Sequence, residues 1–200
     1  MSAVKGFKIR LCQENYLVLN SIADFSEIST KDLRHTIECV FFNAARIVLG
    51  ESSESAETIE EDFKVCAFIS FDLRFHANTA LKTTHIALYI VAQWAIPRLQ
   101  ALSASSTAAK PSLLVTNSLL YADPIPQLFS LSLVKAAQRS LVMSLAKTFN
   151  SSGIRVALVA VGGAVTPENK SLNPRNIAGQ TWEPFDREKD AWSWETEILE

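Results

Sequence analysis

The stretch SLLVTNSLLYADPIPQLFSLSLVKAAQRSL, residues 112–141, decides how this chain folds. Its opening, SLLVTNS (112–118), is an apolar run of strand length that ends in small polar residues. YADPIP (121–126) holds two prolines, each fixed in φ and lacking a donor N–H, so the chain turns there. Gln127 to Phe149 reads as one long helix, and NSSG (150–153) stops it, with Gly153 at the C-terminal cap. IRVALVAV (154–161) is then a strand apolar on both faces. Strand, helix and doubly apolar strand in that order predict an α/β fold, a parallel sheet with helices on both faces. Ser118 closes the first strand and Lys135 lies within the helix.

Upstream the signals are weaker. GFKIRL (6–11) alternates and reads as a short strand, and Tyr16 to Ile22 is a second candidate ending at Asp24. STKDLRHTIECVFFNAARI (29–47) has a capping Ser29 or Thr30 and an acidic Asp32 in its first turn. Leu33, Ile37, Val40 and Phe41 then fall on one helical face, so a helix is predicted across them. IVLG (47–50) reads as a short buried strand, and SSESAETIEED (52–62) as an acidic loop entering a helix. THIALYIVAQWAIPRLQAL (84–102) reads as a buried helix that Pro97 ends or kinks, with SASSTAAKP (103–111) as a loop. Downstream, GGAVTPENKSLNP (162–174) is a loop, and the tail from Ile177 is mixed.

Composition bounds the function classes. The chain has 200 residues, 48% hydrophobic and 20% charged, enough for one globular domain with a core. A net charge of −2 and the lack of any basic run give no electrostatic footprint for nucleic acid or an anionic membrane. Cys12, Cys39 and Cys66 are odd in number and far apart, which argues against disulfides or a zinc site. His35, His76 and His85 have no metal-ligand spacing, so no metal is expected. The N-terminus is charged too early for a signal peptide, and the longest nearly apolar run, Ile86 to Ile96, is too short to span a bilayer. The expectation is a cytoplasmic protein.

Residues 112–166 resemble the second half of a short-chain dehydrogenase/reductase. In that family a serine at a strand end precedes a tyrosine by about thirteen residues, and the tyrosine precedes a lysine by four. Here Ser118 lies thirteen before Leu131, and Lys135 lies four after it. The spacing has a physical basis, because residues i and i+4 share a helix face and point together at the strand-end serine. The resemblance implies that the serine positions a substrate oxygen and the tyrosine moves a proton. The lysine lowers the tyrosine's pKa and holds the nicotinamide ribose, and NAD or NADP supplies hydride. Leu131 cannot donate a proton. Tyr121, three residues after Ser118, is the candidate surrogate acid, beside the reading of a pocket-lining tyrosine; Ser130 and Ser132 are turned off the lysine's face. Thr166, in GGAVT, matches the family threonine that bonds the nicotinamide amide.

Other family marks are missing. None of the six glycines forms G-x-G-x-x-G or the looser T-G-x-x-x-G-x-G turn that cradles pyrophosphate. VKGFKIRL resembles the family's second strand, so the chain is expected to begin one β–α unit late. Asp24 of IADFSE stands at the place of an adenine-side aspartate and reads equally as a turn residue. DFKV (62–65) and THIALYIVAQWAIP resemble the two ends of the family's central helix, which marks residues 66–83 as an insertion. The family's N-N-A-G is replaced by LGES (49–52). Residues 1–200 are thus expected to form a single Rossmann-like domain, with 167–200 as a substrate loop and C-terminal extension. The resemblance implies an NAD(P)-dependent oxidoreductase-type protein acting on a carbonyl/alcohol pair of a small molecule. Its activity is in doubt for want of the tyrosine and the glycine turn. The alternative is a non-catalytic binding protein, a homodimer through helices 84–100 and 127–149.

Overall fold

The computed structural model describes residues 16–19, 37–43, 86–186 and 193–200. Among the described residues five parallel strands form one sheet, in spatial order the same as their chain order. They are β1 (Tyr16–Leu19), β2 (Cys39–Phe42), β3 (Ser112–Ser118), β4 (Arg155–Val161) and β5 (Glu195–Ile198). Three helices are described: α1 (Ile86–Ser105), α2 (Phe129–Phe149) and α3 (Pro174–Asp186). This is the parallel, Rossmann-like α/β architecture that the 112–161 stretch predicts.

The two central strands bury side chains on both faces, β4 through a nearly continuous apolar run and β3 through Leu113, Leu114 and Val115. On β3, Leu113 and Val115 enter the main core, which also takes Val156 and Leu158 of β4 and the inner faces of α1 and α2. Leu114 and Ala157, one residue out of phase, pack on the opposite face with Cys39. Farther along that face, Val159 and Ile198 bury Leu172, with Val161 and Ile177 against them. Ile177 lies in α3, so the described helices cover both faces.

The α2 boundaries follow their chemistry. Proline restricts the residue before it, so Ile125 is extended (φ −96°, ψ 125°), and Pro126 opens a short 3-10 turn that leads into the helix. At the other end Gly153 adopts φ 79°, a left-handed conformation open to glycine at little cost. Asn150 Oδ1 accepts the Val156 N–H at 2.9 Å and ties this stop to β4.

Three elements differ from the sequence expectation. Cys39–Phe42 is strand β2, not the helical face read through Val40 and Phe41. Its register pairs Phe42 with Val115, which leaves Asn43 beside Thr116. Asn43 therefore follows the strand directly, and LGES (49–52) lies outside the described residues. Pro97 neither ends α1 nor sits near its terminus; the helix runs to Ser105 and includes the start of the predicted loop. Proline removes one backbone donor in mid-helix. One residue on, Arg98 stacks over the Trp94 ring at 4.6 Å and donates from Nη1 to the Trp94 carbonyl at 2.8 Å. The third is the tail, which forms α3 and the edge strand β5. The predicted strands at 6–11 and 47–50, the proposed insertion 66–83 and Asp24 lie outside the described residues.

Candidate active site

A cleft of about 1390 Å³ opens at the C-terminal edge of the sheet, where ligands of open α/β sheets bind. The ends of β3 and β4 form its floor, the turn after β3 and the start of α2 one wall, and the loop after β4 with α3 the other. Ser118, Leu131 and Lys135 all line it.

Ser118 arrives there because the β3–β4 register aligns it with Val161, the last residue of β4. Its hydroxyl oxygen is buried and makes no hydrogen bond among the described residues. Its backbone N–H donates to Asn117 Oδ1 at 2.8 Å. Asn117 faces the other way, and its Nδ2 donates to the Lys135 carbonyl at 3.0 Å. One asparagine thus pins the end of β3 to α2 at the turn that carries the lysine. Leu128, Leu131 and Lys135 line the cleft with helical periodicity. Lys135 is 5% exposed, and its Nζ donates to the buried Gln138 Oε1 at 3.1 Å. Leu131 is buried on the cleft wall one turn before it. Ser130 and Ser132 do not line the cleft, and Ser132 Oγ donates to the Leu128 carbonyl at 2.8 Å.

Gly162 and Gly163 form the lip beyond β4. A Cβ on Gly162 would lie 2.8 Å from Leu199 and 2.9 Å from Leu119, and one on Gly163 would lie 2.7 Å from Leu172. A side chain at either position would press on these leucine ends, which would have to shift. Thr166 lies just past this lip, exposed and outside the cleft lining, with its N–H donating to the Leu172 carbonyl at 3.2 Å.

Three further lining residues come from β2 and the position after it, Cys39 and Phe41 in the strand and Asn43 just beyond. Thr116 Oγ1 donates to Asn43 Oδ1 at 2.7 Å and joins the two strand ends. Asn43 was hidden in the sequence because β2 was read as helix; the signal that could have found it is the asparagine directly after C-V-F-F. Burial pushes the Cys39 thiol up to about 12, against a smaller opposing pull from Arg155, so it is an inert wall residue.

Tyr121 is not in the cleft lining. It packs against the main core, and its hydroxyl donates to Glu197 Oε1 at 3.1 Å. Arg139 lies over its ring at 4.6 Å and over Trp194 at 5.0 Å. The same guanidinium holds Glu195 with both prongs, at 2.7 and 2.6 Å. Burial, then Glu195 and Glu197, push the Tyr121 phenol up to about 12, the wrong direction for an acid meant to work near neutrality. This cluster is a rivet joining the turn after β3, α2 and β5. At Glu195 burial raises the carboxyl, but hydrogen bonds from Arg139 and Tyr121 outweigh it and leave the group below its ordinary value. A depressed carboxyl contributes stability above the ordinary glutamate range and loses it as acid protonates the folded form. Glu195→Gln is therefore expected to cost about 1 kcal/mol at neutral pH and to flatten the acid limb of the stability profile, read by urea unfolding across pH.

Among the described residues no helix is long and apolar enough to cross a membrane, and no group of three His, Cys, Asp or Glu could hold a metal. No protein-family model and no curated protein matches the chain. Solved structures do. A short-chain dehydrogenase from Rhodopseudomonas palustris superposes with a TM-score of 0.63 at 16% identity, over 86% of this chain and 66% of that one. The fold is that of a short-chain dehydrogenase. Serine dehydrogenase from Escherichia coli matches with a TM-score of 0.64 at 14% identity, over 88% of this chain and 70% of its own. ElxO with NADP bound matches at 0.60 and 13%, over 88% and 70%. The chain spans about two thirds of the length of these structures.

Proposed function

We propose that this chain is a nicotinamide-dependent oxidoreductase-type protein, using NAD or NADP on the carbonyl/alcohol pair of a small molecule. The observation that carries this reading is the unpartnered, buried Ser118 hydroxyl in the same cleft as Lys135. A buried hydroxyl without a partner is costly unless a ligand completes it. A nicotinamide coenzyme fits the residues present on this side: the orphaned hydroxyl, the buried ammonium and the glycine lip at a sheet's C-terminal edge. When bound it would supply hydride to the substrate carbon.

Each side chain then has a defined task. The Ser118 O–H donates to the substrate oxygen and fixes its position. Lys135 donates to the coenzyme's ribose and places positive charge near the oxygen that gains electrons. Asn117 keeps these two residues in register through its paired hydrogen bonds. Leu131 moves no proton, so protonation of the substrate oxygen falls to solvent and turnover is slow. The roles suggested for Tyr121 and Thr166 would require both to move, because neither lines the cleft.

A fluorescence titration with NADPH and NADH tests the reading. Micromolar binding that Lys135→Ala weakens at least ~10-fold supports it, on the scale of one lost charged hydrogen bond. No binding by the folded protein refutes it.

A second reading, a non-catalytic dimer, draws on Leu131 and on three exposed apolar side chains, Tyr89 of α1 and Phe129 and Leu133 of α2. A folded dimer that binds neither coenzyme, seen by sedimentation, would favour it.

A further inference from the structure

We infer that the part of the cleft beyond Ser118 takes an uncharged, largely hydrocarbon ketone or alcohol, rather than a sugar, an amino acid or an anionic molecule. This rests on the proposed reading of Ser118 and Lys135 as the reacting end, and names the substrate class for that site.

Charge is the first argument. Among the described lining residues, Lys135 is the one cation and Asp123 the one anion; there is no arginine and no histidine. With Lys135 committed to the reacting end, a carboxylate or phosphate on the substrate's body would be desolvated without a counter-ion.

Hydrogen-bonding capacity is the second. Several polar groups in the lining are already engaged with the protein. Asn117 bonds the Ser118 N–H and the Lys135 carbonyl. Thr116 bonds Asn43, and Thr181 Oγ1 donates to the Ile177 carbonyl at 2.8 Å. A molecule carrying many hydroxyls would give up its bonds to water and find few in return. Ser118 Oγ, the lining hydroxyl left unpartnered, offers a bond to one oxygen.

The walls are the third argument. Leu119, Leu120 and Leu128 line one side, and Val161 and Ile177 the other. At the open margin Ile125, Val165 and Trp182 line the cleft while remaining 44%, 49% and 45% exposed. They bring together three separate segments, the turn, the loop after β4 and α3. Large apolar side chains gathered at a cavity mouth leave hydrocarbon surface in water until a ligand covers it.

The test uses propionyl-dimethylaminonaphthalene, a neutral ketone whose emission shifts in apolar surroundings, together with a separate NADPH titration. The substitution is Val165→Asp, at an exposed loop position where folding tolerates charge. The wild-type protein is expected to bind the ketone with blue-shifted emission. Val165→Asp should weaken that binding at least ~10-fold, and by more than it weakens NADPH binding, as a charge placed against hydrocarbon requires. Serine and glucose should not compete. The proposal falls if the wild type does not bind the ketone, if Val165→Asp binds it equally well, or if the polar competitors displace it. Failure to bind the ketone with NADPH binding intact removes the substrate class and leaves the coenzyme reading standing. Ketone binding lost in Val165→Asp, with no NADPH binding in either protein, supports the apolar cleft and removes the coenzyme reading.

Discussion

Leu131→Tyr is expected to raise NADPH-dependent reduction of a neutral aryl ketone by ~10²–10⁴-fold, the usual contribution of a positioned general acid. Leu131 lines the cleft one helical turn before Lys135, in the same cavity as Ser118. A phenol introduced there would lie beside a buried ammonium, which favours the phenolate and brings the group's pKa down towards neutrality. It would also project into open cleft rather than into packed core, so the larger ring need not overpack. The control is Leu131→Phe, which adds the ring without the hydroxyl. A rise in kcat for Leu131→Tyr but not for Leu131→Phe assigns the gain to proton transfer. Equal rates in the two variants would show that the position does not address the substrate oxygen.

The largest stability effect is expected at the centre of the sheet. Leu158 of β4 is 0% exposed and packs in the core shared by β3, α1 and α2. Leu158→Ala removes three buried carbons and leaves a cavity that rigid strands on both sides cannot close. The expected cost is about 2–5 kcal/mol, seen as a lower urea midpoint with an unchanged slope. Leu133→Ala, on the exposed side of α2, should stay within about 0.5 kcal/mol. A similar loss at both positions would mean that the core does not lie where α1 and α2 cover the sheet.

The parts of the fold legible in the sequence are those with one dominant local signal. β4 read correctly because both of its faces are apolar, β3 because a short apolar run ends in small polar residues at a proline turn, and α2 because prolines open it and a left-handed glycine closes it. β2 was misread because C-V-F-F follows Leu33 and Ile37 at helical spacing, and a four-residue buried strand has no period of its own. That error shifted the loop after it and concealed Asn43. β5 was missed because its E-T-E-I sequence is polar; Glu195 and Glu197 are held by Arg139 and Tyr121, partners distant in sequence. Pro97 allowed two readings, an end or a kink, and the helix continues past it to Ser105, which removes the first.

The spacing from Ser118 to Leu131 to Lys135 was legible because it is a local helical geometry laid against a strand end. The position of Tyr121 was not. Three residues of separation from Ser118 bring it near in sequence, but the 3-10 turn at Leu119–Tyr121 carries its ring towards Arg139 and β5. Backbone conformation over one turn decides between two faces of the sheet, and no residue pattern in L-L-Y-A-D fixes that choice.

A crystal structure of the protein grown with NADPH tests the central claim most directly. The account predicts the nicotinamide ribose within hydrogen-bond reach of Lys135 Nζ and the nicotinamide ring facing Ser118 Oγ across the cleft. Coenzyme bound away from both groups, or Ser118 and Lys135 opening onto separate surfaces, would contradict it.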